Sequence, residues 1–164
     1  MTKQRIRSPY AIYRRMEGLP LGRWLFTRLI CLRAPYFSSI RPVFRDLRPG
    51  SATVFMRKRR RVQNHIGTIH ALAMGNLCEL GAGLVMESTL PPELRWIPKG
   101  MSISYLAKAT TDITAVATLQ ERPWASATDV PVEVSVRDEG GTEVVHATIT
   151  MYVSAGKTKP TNDT

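Results

Sequence analysis

A chain of 164 residues, 43 % of them hydrophobic, is long enough to close one sizeable core, which excludes global disorder. Its net charge of +10 is uneven: residues 1–61 carry 16 Lys and Arg against 2 acids, whereas residues 62–164 carry 7 against 11. The basicity belongs to the N-terminal third, where it suits an anionic partner (phosphate, acidic lipid headgroup or nucleic acid) or a solvated face.

Residues 1–8 are basic and read as loose. From Pro9 to Leu32, Tyr10, Tyr13, Leu25, Leu29 and Leu32 recur at helical spacing with Arg14, Arg15, Arg23 and Arg28 between them. Gly18-Leu19-Pro20 should split this segment into two helices. Their apolar side is expected to pack on the domain itself; a membrane surface is the second candidate partner for so basic a pair. The arginines also interrupt LPLGRWLFTRLICL as a cleavable leader. Cys31 and Cys78 are too few and too far apart for a disulfide framework or a zinc set. Together these point to a reducing, cytoplasmic compartment.

Pro35 and Pro42 bracket a connector, Val43–Leu47 reads as a short strand, and Arg48-Pro49-Gly50 as a turn. Ser51–Gln63 reads as a strand with Val54, Met56 and Val62 on one face, and Phe55, Arg57, Arg59 and Arg61 on the other. The run Arg57–Arg61 has the composition of a nucleic-acid patch, but no aromatic residue interleaves it to stack bases. A charged strand edge explains it more simply, so nucleic acid is disfavoured.

Asn64 to Met86 (NHIGTIHALAMGNLCELGAGLVM) is the most informative stretch. Gly67 and Thr68 suit a loop and an N-cap, so a helix should begin near Thr68 and end near Met86. Ile69, Leu72, Ala73, Leu77, Leu80 and Leu84 give it a wide apolar surface. Gly75, Gly81 and Gly83 weaken a helix but let another element approach closely, which suits burial against a curved sheet. The length raises a membrane span; His70, Asn76, Glu79 and the glycines argue against it. Glu79 is the only formally charged residue between Val62 and Met86. Such a carboxylate is either satisfied or solvated, or it serves chemistry.

After Pro91-Pro92, strands follow at Met101–Ala107, Thr111–Gln120, Val130–Val136 and Glu143–Val153, with a hairpin turn at Asp138–Gly141. Gly156–Thr164 is polar and reads as a disordered tail. The order predicts an α+β fold: an antiparallel sheet of five to six strands against one long central helix, plus N-terminal helices. Residues 1–40 form the basic helical extension, 41–155 the main domain, and 156–164 the tail. His65, His70 and Glu79 do not share a helical face, so no metal site is expected. No nucleophile elbow, P-loop or dinucleotide fingerprint occurs.

The spacing Asn64–Gly67–His70, with Glu79 nine residues after the His, resembles the hotdog-fold acyl-CoA thioesterases, in particular the branch of the phenylacetate-pathway enzymes. Those proteins carry N-x-x-G-x-x-H-G-G with an acid nine positions on. Here Ala71 and Leu72 replace the two glycines, and Glu79 the commoner Asp. The resemblance covers about residues 41–155 and implies the sheet wrapped around the helix. It also implies thioester hydrolysis with Glu79 as general base or nucleophile, and helix N-terminal amides near His70 and Ala71 as oxyanion hole. Asn64 would orient water or thioester, His70 the carbonyl or its loop. Gly67 and Ala71 would border the substrate. No cofactor is implied beyond the coenzyme A of the substrate. Its phosphates suit Arg57, Arg59 and Arg61, with Lys99 or Lys108. A homodimer or dimer of dimers is implied, with the site between subunits. The alternative is a non-catalytic hotdog protein that binds acyl thioesters or acyl chains.

Overall fold

The computed structural model describes residues 9–156. The readings of a loose segment at 1–8 and of a disordered tail over 156–164 lie outside the described residues except at Gly156, whose N–H is held by Glu93 O at 2.7 Å. Two helices come first, α1 (Pro9–Met16) and α2 (Gly22–Arg33), separated at Gly18-Leu19-Pro20. A 3-10 turn at Pro35–Ile40 leads into β1 (Val43–Arg48) and β2 (Ser51–Met56). The long helix α3 (Ala71–Thr89) follows, then β3 (Leu94–Tyr105), β4 (Ile113–Thr118), β5 (Thr128–Asp138) and β6 (Glu143–Ala155).

The six strands form one antiparallel sheet in the order β1-β2-β4-β5-β6-β3. β2, β4, β5 and β6 alternate because one face of each meets the core. Val132, Val134 and Val136 of β5 and Ala147, Ile149 and Met151 of β6 are all buried. They surround α3, which buries Leu77, Leu80, Leu84, Val85 and Met86. Gly81 lies so close to β4 that an added Cβ would sit 3.3 Å from that of Ala117. This is the hotdog arrangement: a sheet curled around one central helix. No helix among the described residues is long and apolar enough to cross a membrane.

An aromatic ladder docks α1 and α2 onto the sheet. Tyr13 meets Phe26 edge-on at 5.2 Å, and Phe26 meets Phe44 of β1 at 5.4 Å. Thr27 adds a hydrogen bond, its hydroxyl accepting the Phe44 N–H at 3.2 Å.

Four sequence expectations are corrected. The strand expected to reach Gln63 ends at Met56, because the Lys58 N–H turns away to donate to Asp112 Oδ1 at 2.8 Å. The helix expected from Thr68 starts at Ala71, because Thr68 is spent inside the preceding loop. Leu72, placed on the apolar surface, is exposed. Finally, α2 turns Phe26 and Cys31 inward and leaves Leu25, Leu29 and Leu32 exposed, the reverse of the expected face. Two apolar stripes compete on this helix, and the ladder through Tyr13 and Phe44 selects the one bearing Phe26.

Candidate active site

The loop before α3 is knitted together by Asn64. Its Oδ1 accepts the N–H groups of Ile66 and Thr68, both at 3.1 Å, and its Nδ2 donates to Thr68 Oγ1 at 2.8 Å. The backbone closes the same loop, with Asn64 N–H donating to Thr68 O at 2.9 Å. Gly67 turns it at φ +78°, a conformation glycine adopts without strain. Both ends of the Asn64 amide are thus engaged inside the loop, and Gly67 is exposed at its tip.

His70 is the N-cap of α3. Its Nδ1 accepts the Leu72 N–H at 3.1 Å, so the ring proton sits on Nε2, which is left as a donor. The His70 N–H is taken by Val62 O at 2.8 Å, and the Ala73 N–H by His70 O at 3.0 Å. Among the described residues the Ala71 N–H alone in this first turn pairs with no acceptor. It points out at the positive end of a 19-residue helix. Beside it lies a hollow of about 180 Å³ bordered by Tyr36, Ser39, Arg61, Gln63, His70 and Asn76.

Glu79 lies elsewhere. Nine residues along α3 from His70, it is displaced by about 13 Å along the axis. It is half-buried, and its carboxylate has no hydrogen-bond or ion-pair partner among the described residues. It borders a second cleft, of about 310 Å³, between α2 and the following 3-10 turn on one side, and α3 and β3 on the other. The walls are mainly apolar, from Ile30, Phe37, Leu80, Leu84 and Trp96, with Arg33 and Glu87 as the other charged groups. The Trp96 indole donates to Glu87 Oε1 at 3.2 Å, so Glu87 is engaged while Glu79 is not. Gly83 opens this cleft, since a Cβ there would meet the Trp96 ring at 3.0 Å. One chain therefore holds Asn64, Gly67, His70 and Ala71 together and places Glu79 apart from them.

The basic residues divide similarly. Arg57 and Arg61 are exposed, with no carboxylate partner among the described residues; Arg61 borders the His70 hollow. Arg59 is half-buried and donates weakly to Ser39 O at 3.4 Å. Burial, then the neighbouring charges of Arg41 and Arg61, lowers its pKa. Lys99 is engaged with Asp129 at 2.6 Å. Lys108 is exposed next to Ala109, whose carbonyl accepts the Ile69 N–H at 2.9 Å, so it stands at the His70 end.

Sequence reasoning missed Arg33, Phe37 and Trp96 as walls of the Glu79 cleft, because distant segments converge there. It also gave no role to Asn76, whose Nδ2 donates to Ser39 Oγ at 3.2 Å and ties α3 to the 3-10 turn. A second polar side chain inside an apolar helix was the available signal. Neither thiol is a candidate nucleophile: burial raises the pKa of Cys31 and pushes that of Cys78 up to about 12. Among the described residues no three His, Cys, Asp or Glu side chains converge as metal ligands.

The family model described as "Domain of unknown function (DUF4442)" matches residues 22–153. Among curated proteins none matches the sequence. A crystal structure from a genomics programme is 42 % identical, with a TM-score of 0.79 over 90 % of this chain and 99 % of that one. A Pseudomonas aeruginosa protein, described as of unknown function and a probable thioesterase, is 21 % identical, with a TM-score of 0.72 over 84 % and 97 %. A thioesterase from Haemophilus influenzae is 15 % identical, with a TM-score of 0.66 over 73 % and 82 %. At those identities the last two speak to the fold alone.

Proposed function

We propose, from the premise that this chain belongs to the DUF4442 family, that it hydrolyses acyl thioesters with Glu79 as the acid–base residue. The observation that carries this reading is the Glu79 carboxylate, without a partner among the described residues, in the wall of an apolar cleft. Among the described residues nothing in the packing pairs with an acid there, so the carboxylate is left free to act on a molecule in the cleft. The thioesterase descriptions of the P. aeruginosa and H. influenzae proteins, which share the fold, support the same reaction class.

The chemistry follows from the two halves of the site. The thioester carbonyl oxygen accepts the Ala71 N–H at the positive end of α3. Glu79 removes a proton from water as the water oxygen bonds to the carbonyl carbon. The tetrahedral oxyanion is held by the amide; the C–S bond then breaks, and the thiolate takes up the proton. The products are a carboxylic acid and a free thiol. The acyl group lies along the apolar walls beside Glu79, and His70 Nε2–H is a further donor at the carbonyl end. Coenzyme A is the carrier proposed, with its phosphates on Arg57, Arg61 and Lys108.

About 12 Å of helix separates Ala71 from Glu79, so one chain does not complete this site. A second copy supplies the missing half, its α3 N-terminus meeting the first copy's Glu79. The unpaired edge strand β3, with exposed Ile97, Met101 and Tyr105, is a suitable surface for that pairing.

One observation favours a second reading. The Leu72 N–H is spent on His70, which leaves a single free amide where oxyanion holes commonly use two donors. A protein that binds acyl thioesters without cleaving them fits that poverty. Free-thiol release from a panel of acyl-CoAs, measured beside Glu79→Gln, separates the two. Turnover that collapses in the variant supports hydrolysis. Saturable binding by both proteins without turnover leaves the binding module.

A further inference from the structure

Helix α2 is apolar on two sides, and the fold covers only one. Inward it places Phe26, Thr27 and Cys31 in the core. Outward, Leu21 at its cap and Leu25, Leu29 and Leu32 follow one another at intervals of four, four and three residues, a single stripe along the helix. Leu21 is 78 % and Leu32 79 % exposed, and Trp24 beside them is 49 % exposed. Leu19, in the turn before α2, extends the patch at 60 %. The apolar stripe of a helix ordinarily faces a core. This one stands 12 residues long, about 18 Å, on the outside of the molecule.

Every charged residue of α2 is cationic: Arg23, Arg28 and Arg33. None has a carboxylate partner among the described residues. The Arg28 guanidinium lies 5.1 Å over the Trp24 ring, inside the stripe rather than opposite it. We infer that the outer face of α2 docks the protein on an anionic lipid surface. The leucines enter the boundary between headgroups and acyl chains. Arg28 runs its stem along them to reach a lipid phosphate, and Trp24 takes the interfacial position that tryptophan favours. The convex shape of a single helix suits a deformable lipid surface. With Arg28 set inside the stripe and no acidic residue on α2, this face suits anionic phosphates rather than a cationic or neutral partner. With no membrane-crossing helix among the described residues, the attachment is peripheral. The opposite side of α2 supplies Ile30 and Arg33 to the Glu79 cleft, so the docking face and the cleft share one helix.

The test is co-sedimentation of the full chain with vesicles of phosphatidylcholine containing roughly 30 % phosphatidylglycerol, beside pure phosphatidylcholine. The expected result is binding to the anionic vesicles that weakens as NaCl is raised, with little binding to the neutral ones. Leu25→Ser with Leu32→Ser, and separately Arg28→Glu, should each reduce the bound fraction's partition coefficient about tenfold without lowering the melting temperature. The charge variant carries the test alone if the double variant fails to fold. No sedimentation of the wild type, or equal sedimentation of wild type and variants, overturns the inference. So does salt-insensitive binding to both vesicle types. A wild-type oligomer that these substitutions split, without vesicle binding, overturns it in favour of a second copy on this face. Variant-sensitive binding to an acidic acyl carrier protein, again without vesicles, overturns it in favour of a protein partner.

Discussion

The Nδ1 atom of His70 accepts the Leu72 N–H at 3.1 Å, and this contact sets both the start of α3 and the identity of the ring nitrogen that stays a donor. Stability and activity should therefore separate at this position. His70→Ala removes the cap and should cost about 1 kcal/mol in chemical denaturation, together with much of the turnover. Asparagine is a strong N-cap, so His70→Asn should recover the stability. It lacks the reach of Nε2 and should leave turnover low. Full activity in His70→Asn would show that His70 serves only as a cap.

Glu79→Gln should lower kcat by about 10²–10⁴-fold and leave the fold intact, because among the described residues the carboxylate holds no partner whose loss would be felt. A melting temperature unchanged or raised, with thiol release abolished, is the expected pair of results. A marked fall in melting temperature would mean that Glu79 is structural.

Arg57 and Arg61 are exposed, so charge reversal at both leaves the fold unstrained. Arg57→Glu with Arg61→Glu should raise KM for acyl-CoA, and the increase should shrink in high salt as the phosphate contacts are screened. The kcat of the double variant should remain close to wild type. Unaltered acyl-CoA affinity would remove these residues from the coenzyme A site.

How far the chain could be read follows from where each signal was local. Val132, Val134 and Val136 alternate because one face of β5 is core, and such a pattern is visible without any partner. The turn from Asn64 to Thr68 was visible for the same reason, since the hydrogen bonds of the Asn64 side chain reach no further than Thr68. The start of α3 was misplaced because Thr68 is a far commoner cap than His70. Its amide and carbonyl are nevertheless committed to Asn64. The face of α2 was misread because Leu25-Leu29-Leu32 and Phe26-Cys31 are both helical stripes. Only Tyr13 and Phe44, remote in sequence, decide between them. The early part of β3 was hidden by Pro98 and Gly100, where the strand bulges yet keeps pairing with β6. The Glu79 cleft could not be read at all, since Phe37 and Trp96 meet only after the chain has folded.

Gly22 opens α2 at a point where a Cβ would lie 1.7 Å from the Met16 carbonyl oxygen. Backbone, not a flexible side chain, blocks the space, so Gly22→Ala must pry α1 and α2 apart. The strain should cost about 1–3 kcal/mol or more, read as a lower melting temperature. Gly18→Ala is the control: nothing lies within 4 Å of its added Cβ, and little change is expected.

On the outer face of β6, His146 faces Glu143 through Nδ1 and Glu133 through Nε2, both at 3.2 Å. The hydrogen bond from Glu143, then that from Glu133, raises the histidine pKa. The nearby Ser135 hydroxyl, then the hydrogen bond with His146, lowers that of Glu143. A raised histidine stabilises the fold fully below its unfolded value, near 6.5, and loses that contribution as pH rises through the higher folded value. The depressed glutamate works in the opposite sense: its contribution is present above its unfolded value, near 4.3, and is lost as pH falls through the lower folded one. The ion pair is therefore at full strength between about pH 4.5 and 6.5. All three side chains are substantially solvated, so screening keeps the effect small. His146→Gln should consequently lower the melting temperature slightly near pH 5.5 and not at all above about pH 8.5. A difference that persists unchanged at high pH would assign the effect to packing of the ring rather than to its charge.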